Sequence, residues 1–335
     1  MERRIITVFG GSGFVGRHLV KRLADTGAII RVAVRDIEAA QFLKPLGEIG
    51  QIIPLPVDVK RPDLVAHAVA DADAVVNLVG ILSPWGRNTF DAVHAQGAET
   101  VAKAAAAAGV RTLVHMSALG ADPNSESQYA RTKADGEARV RAAFPDAMIV
   151  RPSVIFGPED GFFNLFAGLA RFSPVLPLVG GRLFPAVSFQ GGKLDIDFYG
   201  DGGTQFQPVY VGDVAEAMVR GITDPTTKGR TFELGGPGVY SFKALLDMML
   251  AEIGRKRLIM PLPFALASIE AWFLEKLPMP LLTRDQVTLL KTDNVVKEGA
   301  NTLADLGITP TSVKLILPTY LRRYRPTKRQ GLRTA

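Results

Sequence analysis

Along the first 150 residues, short apolar and β-branched runs alternate with longer stretches whose apolar positions recur at helical spacing. The runs are Ile5 to Phe9, Ile29 to Val34, Ile52 to Pro56, Ala74 to Leu78, Val110 to Met116 and Ala147 to Val150, and each predicts a strand. Between them, an amphipathic pattern from Phe14 to Ala24, an alanine-rich stretch from Ala98 to Ala108 and a stretch from Gln128 to Ala143 predict helices. Alanine has the best helix propensity, so the second of these reads as a close-packed helix. Regular strand–helix alternation predicts an α/β chain with a doubly wound parallel sheet. In such sheets a ligand lies at the carboxyl ends of the strands, so strand-end residues are the ones to read for function.

The first of those ends carries three glycines, Gly10, Gly13 and Gly16, between a strand and a helix. Side chains there would block a dinucleotide pyrophosphate, while the free N–H groups and dipole of the helix N-terminus attract an anion. A glycine-rich turn with no ligand is the bland alternative, and the strand before and helix after weigh against it. The spacing is G-x-x-G-x-x-G, not the common G-x-G-x-x-G.

Composition narrows the classes. The 335 residues suit one nucleotide-binding domain plus a smaller lobe. There is no cysteine, which excludes disulfides, thiolate catalysis and cysteine-ligated metal. His18, His67, His94 and His115 show no metal-ligand spacing, so no metal site is expected. The first strand begins at residue 5, leaving no room for a signal or transit peptide, and no apolar run reaches the roughly 18 to 20 residues that span a bilayer. A bacterial cytoplasm is the expected setting, and a mature organellar protein would read similarly.

Charge is concentrated at one end. From Leu306 onward there is no acidic residue, and Lys314, Arg322, Arg323, Arg325, Lys328, Arg329 and Arg333 supply seven positive charges. Subtracting that +7 from the net +6 leaves the rest of the chain at −1. Anionic lipid, an acidic partner or nucleic acid would attract such a tail, and a solvated terminus is the plain alternative. Nucleic-acid binding is not expected, since no binding module or base-stacking aromatic pattern accompanies the charge. Phe264, Trp272 and Phe273 lie among Arg255, Lys256, Arg257, Lys276 and Arg284, which suits a membrane interface or a partner groove. An ordinary core helix would read similarly.

From the glycine turn onward the chain resembles the short-chain dehydrogenase/reductase superfamily, in its extended or atypical branches. The resemblance implies a Rossmann-type sheet with a smaller C-terminal α/β lobe. The expected division is an NAD(P)-binding domain over 1–150, an interleaved lobe over 151–320 with an insertion at 180–205, and a basic tail over 321–335. It implies that Gly10, Ser12, Gly13, Phe14, Gly16 and Arg17 bind the cofactor, together with Asp58 and Val59 at the adenine, Val79 and Gly80 at the ribose, and Pro152. For Asp58, a turn-starting carboxylate is the alternative. Arg35 ends the second strand where NAD-selective relatives place an acid, and a guanidinium suits a 2′-phosphate, so NADP(H) is expected over NAD(H). Asp36 next to it would restore NAD selectivity.

Ser117 follows the fifth strand, and Tyr129 and Lys133 stand four apart on the next helix, on one face. In the superfamily such a set reduces a carbonyl: lysine lowers the tyrosine pKa, tyrosine passes the proton and serine orients the substrate oxygen. Tyrosine and lysine that only hold the cofactor are the alternative. In PVYVGDVAEAM, Asp213 is expected to cap a helix. Residues 180 to 205 read as a hairpin-like insertion over the cleft, or a contact surface.

A narrower resemblance rests on FVGRHLV, NLVGIL, YARTKADGE, AAFPDAMIVRPSVIFGPEDGFFNLFA, PVYVGDVAEA and PLLTRDQVTLL. Together these are similar to the nucleotide-binding accessory subunits of respiratory complex I. That family implies a tightly held NADPH, a peripheral place near the quinone site, other complex I subunits as partners and a role in assembly and stability. The absent presequence and the insertion suggest a bacterial relative on the cytoplasmic side of the inner membrane. A free NADP(H)-dependent reductase or epimerase is the second expectation.

Overall fold

The apolar runs form strands β1 (Ile5–Phe9), β2 (Ile29–Val34), β3 (Ile52–Pro56), β4 (Ala74–Asn77), β5 (Thr112–Met116) and β6 (Met148–Pro152). The computed structural model describes residues 4–180, 186–190, 193–197, 199–277 and 280–326, with backbone alone at 186–190 and 193–197. The strands align in the order β3-β2-β1-β4-β5-β6, and Thr231–Leu234 adds a seventh beside β6. Every pairing is parallel. The order reverses between β1 and β4, where a Rossmann-type sheet opens its ligand crevice.

Helices α1 (Phe14–Asp25), α2 (Pro62–Val69), α3 (Gly97–Ala107) and α4 (Gln128–Ala143) are crossovers, and they divide between the two faces. Val76, Val114 and Val150 face one core with Leu19 and Leu23 of α1. Their neighbours Val75, Leu113 and Ile149 face the other, with Val65 of α2, Val101 of α3 and Val140 of α4. Successive strand residues thus feed opposite layers, as the period-2 geometry of a strand requires. The expected boundaries hold to within one or two residues at most ends.

Two features go beyond the sequence pattern. A π-helical turn at Asp91–Gln96 leads into α3, and its His94 carbonyl lies against Gly136 of α4. Such turns cluster at functional sites.

A third core is built by α5 (Phe162–Phe172), α7 (Phe242–Ile253), α8 (Phe264–Leu274), α9 (Arg284–Leu289) and α10 (Val313–Leu321), while α6 (Val211–Thr223) packs into the first core with α1. Val175–Val179 pairs parallel with Leu258–Leu262 beneath Phe163, Phe206, Leu246 and Met249. Asp213 is not the N-cap of α6. Tyr210 holds that position, and the Asp213 carboxylate instead accepts the Thr311 N–H at 2.7 Å and its hydroxyl at 2.9 Å. It therefore pins the approach to α10 against the first turn of α6. Local spacing suggested a cap, but a partner 98 residues away was invisible to it.

Part of the insertion is a hairpin, with Ala186–Gln190 antiparallel to Lys193–Asp197; the rest of it lies partly outside the described residues. At the carboxyl end, Tyr320 donates to Asp160 at 2.5 Å, Arg323 to Asn164 at 2.6 Å and Arg325 to Glu252 at 2.6 Å. Lys328, Arg329 and Arg333 lie outside the described residues. Helix α8 buries only Ala267 and Ala271, while Leu266, Ile269, Trp272 and Phe273 are exposed, Phe273 at 60%. It is not an ordinary core helix. No helix of the described residues is long and apolar enough to cross a membrane.

A Cβ at Gly136 would stand 2.2 Å from the His94 carbonyl oxygen, backbone that has little room to yield. Gly136→Ala is expected to cost about 1–3 kcal/mol, measured by urea unfolding. Unchanged stability would show that the π turn and α4 are not in fixed contact.

Candidate functional site

The crevice at the sheet switch point begins with the glycine turn. Gly10 has φ +79°, and a Cβ on Gly16 would stand 2.5 Å from the Gly10 carbonyl oxygen. Only glycine lets α1 start this close to β1. Gly13 is the N-cap and offers no side-chain hydrogen bond, so the first-turn N–H groups stay open to an anion. Ser12 and Phe14 flank that opening in sequence. The cradle fits a dinucleotide.

Around it, the expected residues are in differing states. Arg35 is exposed at the end of β2 and makes no ion pair among the described residues. The Asp36 carboxylate is turned into the next turn, accepting the N–H groups of Glu38 at 2.9 Å and Ala39 at 3.1 Å. Arg17 pairs with Glu159 at 3.5 Å and lies 4.8 Å from the Phe42 ring, while its Nε is buried with no hydrogen bond. Asp58 accepts the Lys60 N–H at 3.0 Å, the turn-starting use that was its alternative reading. Val59 is buried against Gly97. Asn77 ends β4 and accepts the Val79 N–H at 3.1 Å, which orders the approach to Gly80. Pro152 ends β6, and its carbonyl accepts the Leu119 N–H.

Ser117, Tyr129 and Lys133 are carried by the end of β5 and by α4. Lys133 is 3% exposed, donates to the Met116 carbonyl at 3.3 Å and lies 5.9 Å from the centre of the Tyr129 ring. A Cβ at Gly80 would be 3.2 Å from its ammonium, so the lysine adjoins the segment that follows β4. Burial lowers its pKa to about 8, against a raising effect from Glu137. Burial, and next the Asp285 carboxylate, push the Tyr129 phenol up to about 12. The Ser117 hydroxyl is buried without a partner.

The sequence reading missed four contributors. His94 accepts the Ile81 N–H at 3.0 Å on Nε2 and meets the Thr132 hydroxyl at 3.2 Å, joining the β4 end to α4. It also stacks on Phe90 and meets Tyr129 edge-on. Asn77 meets His115 at 3.2 Å. Asp285 of α9 binds the first turn of α4, accepting the N–H groups of Gln128 at 2.7 Å and Tyr129 at 3.1 Å. A Thr283–Gln286 capping box, legible as T-x-x-Q, holds Asp285 in place, but its target lies some 157 residues away.

Fold and cradle define a nucleotide-binding protein of Rossmann type. The chain belongs to the NAD dependent epimerase/dehydratase family, whose profile matches residues 6–235. It is 33% identical over 320 residues to the NADH-ubiquinone oxidoreductase 40 kDa subunit of Neurospora crassa, covering 95% of this chain and 79% of that one. Against NADH dehydrogenase (ubiquinone) 1 alpha subcomplex subunit 9 of Mus musculus the identity is 34%, over 96% and 80%. A UDP-glucose 4-epimerase of Thermus thermophilus, solved with NAD, superposes with a TM-score of 0.68 at 18% identity, over 96% of this chain and 99% of that one.

Burial holds His94 and His115 near pKa 3, with Lys133 adding repulsion to each. The unfolded chain takes up a proton at each below about pH 6.5 and the folded chain does not. Their contribution to stability is therefore full above that pH and lost as the pH falls toward 3, by about 1.4 kcal/mol per pH unit for each histidine. His94→Gln is expected to remove one such share of the acid slope, read by urea unfolding from about pH 6 to 4. An unchanged slope would mean that His94 protonates without unfolding the chain.

Proposed function

We propose that this chain is an NADPH-binding accessory subunit of respiratory complex I, in which the cofactor is a structural ligand. The observation that carries the reading is near-full-length likeness to complex I subunits of mitochondria, in a chain that keeps the glycine cradle. Gly10, Ser12, Gly13, Phe14 and Gly16 receive the pyrophosphate. Arg35, with Arg17, takes the 2′-phosphate, a role favoured by its having no ion pair among the described residues and by the commitment of Asp36 to a turn. Asp58 and Val59 meet the adenine, and Val79, Gly80, Tyr129, Lys133 and Pro152 the ribose and nicotinamide. A bound nicotinamide supplies hydride chemistry. Lys133, held on the Met116 carbonyl beside Gly80 and facing the Tyr129 ring, is placed to hold that group.

The subunit sits peripherally on the cytoplasmic side of a bacterial inner membrane, beside the quinone site, and stabilises or assembles the complex. Its exposed α8 face, with Lys276 3.4 Å from the Trp272 ring, and the basic carboxyl end contact anionic lipid or neighbouring subunits. A second reading, a free NADP(H)-dependent reductase, draws on the unpartnered Ser117 hydroxyl beside Lys133, where a substrate oxygen would be oriented.

Arg35→Asp is expected to weaken NADPH binding more than tenfold while NADH binding changes little, by calorimetry. Equal losses would remove Arg35 from the 2′-phosphate. In a strain deleted for the chain, Tyr129→Phe is expected to restore assembled complex I on native gels, and Gly16→Ala is not. Failure of Tyr129→Phe alone, with NADPH still bound, would favour the reductase.

A further inference from the structure

Helix α4, which carries Tyr129 and Lys133, closes its N-terminus only in part with its own residues. Ser127 caps it by accepting the Ala130 N–H at 3.2 Å, and that hydroxyl in turn donates to Asp285 at 2.8 Å. The two Asp285 oxygens take the Gln128 and Tyr129 N–H groups as well. Three donors of one helix start therefore converge on a carboxylate delivered by another part of the chain. A negative charge there also suits the positive end of the α4 dipole.

Asp285 is itself held firmly. Its neighbour Arg284 makes two bonds to Glu275, at 2.8 and 2.6 Å, at the end of α8. Lys291, just beyond α9, reaches Glu126 at 3.6 Å, one residue before the α4 cap. The run from α8 through α9 to the start of α4 is thus bonded at each step, and α8 is the helix with the exposed apolar face.

We propose that Asp285 is the positioning residue of the Tyr129–Lys133 helix, so that retention of the nucleotide depends on how α9 is seated. The cofactor half of this inference rests on the reading given under Proposed function.

The test uses the full chain, with Asp285→Asn as the main variant, Ser127→Ala as the second and Asp224→Asn as a control. Asp224 caps a remote turn, accepting from Thr226. Hydrogen exchange at the Gln128 and Tyr129 amides reads the cap directly, and calorimetry with NADPH reads the site. Asp285→Asn is expected to speed exchange at those two amides well beyond any change elsewhere, and to raise the NADPH Kd about 2- to 30-fold, the range spanned by loss of a helix cap. Ser127→Ala is expected to act in the same direction, and Asp224→Asn to leave both readouts unchanged. Unaltered exchange at Gln128 and Tyr129 in Asp285→Asn, or the same change in Asp224→Asn, overturns the proposal. Fast local exchange with an unchanged NADPH Kd also overturns it, since the helix would be capped without the site depending on it. If the wild-type chain binds neither NADPH nor NADH, the reading under Proposed function fails, and the exchange data still decide whether Asp285 positions the helix.

Discussion

The structure depends on how closely α1 approaches β1. With 2.5 Å between the Gly10 carbonyl oxygen and any Cβ that Gly16 carried, the helix starts almost on top of the strand end. This approach points the uncapped N-terminus of α1 into the crevice at the switch between β1 and β4. At the same turn the Gly10 N–H donates to the Ala33 carbonyl of β2, and a Cβ on Gly10 would stand 3.4 Å from the Val79 nitrogen beyond β4. The rest of the site is arranged around that fixed anion cradle.

Helix α4 brings Tyr129 and Lys133 together with the lysine's charge buried. Lys133 is buried next to two histidines that burial keeps neutral, and its nearest bond is to a backbone carbonyl. Tyr129 faces His94 and Phe90, with a carboxylate at the foot of its helix.

The layered fold was legible in the sequence because both of its signals are local. Strand runs are mostly apolar, with single polar residues such as Thr7, Arg31 and His115 among them, and the glycine turn is confined to seven residues. Local spacing also placed Ser117, Tyr129 and Lys133 on β5 and α4. Long-range partners were not legible. Asp213 binds Thr311, not its own helix start, and Asp285 reaches α4 from the far side of the chain. His94 looked like any other histidine, since its role follows from a π-helical turn that no periodicity announces.

The central claim joins a bound nucleotide to membership of a complex, so the most direct measurement reads both at once. Native membranes solubilised in mild detergent are resolved by size, and each fraction is assayed for this chain, for NADH:quinone oxidoreductase activity and for released NADPH. The account predicts that chain and NADPH travel with the oxidoreductase, near one nucleotide per chain. A chain that migrates alone, or that travels with the complex but carries no nucleotide, would contradict it.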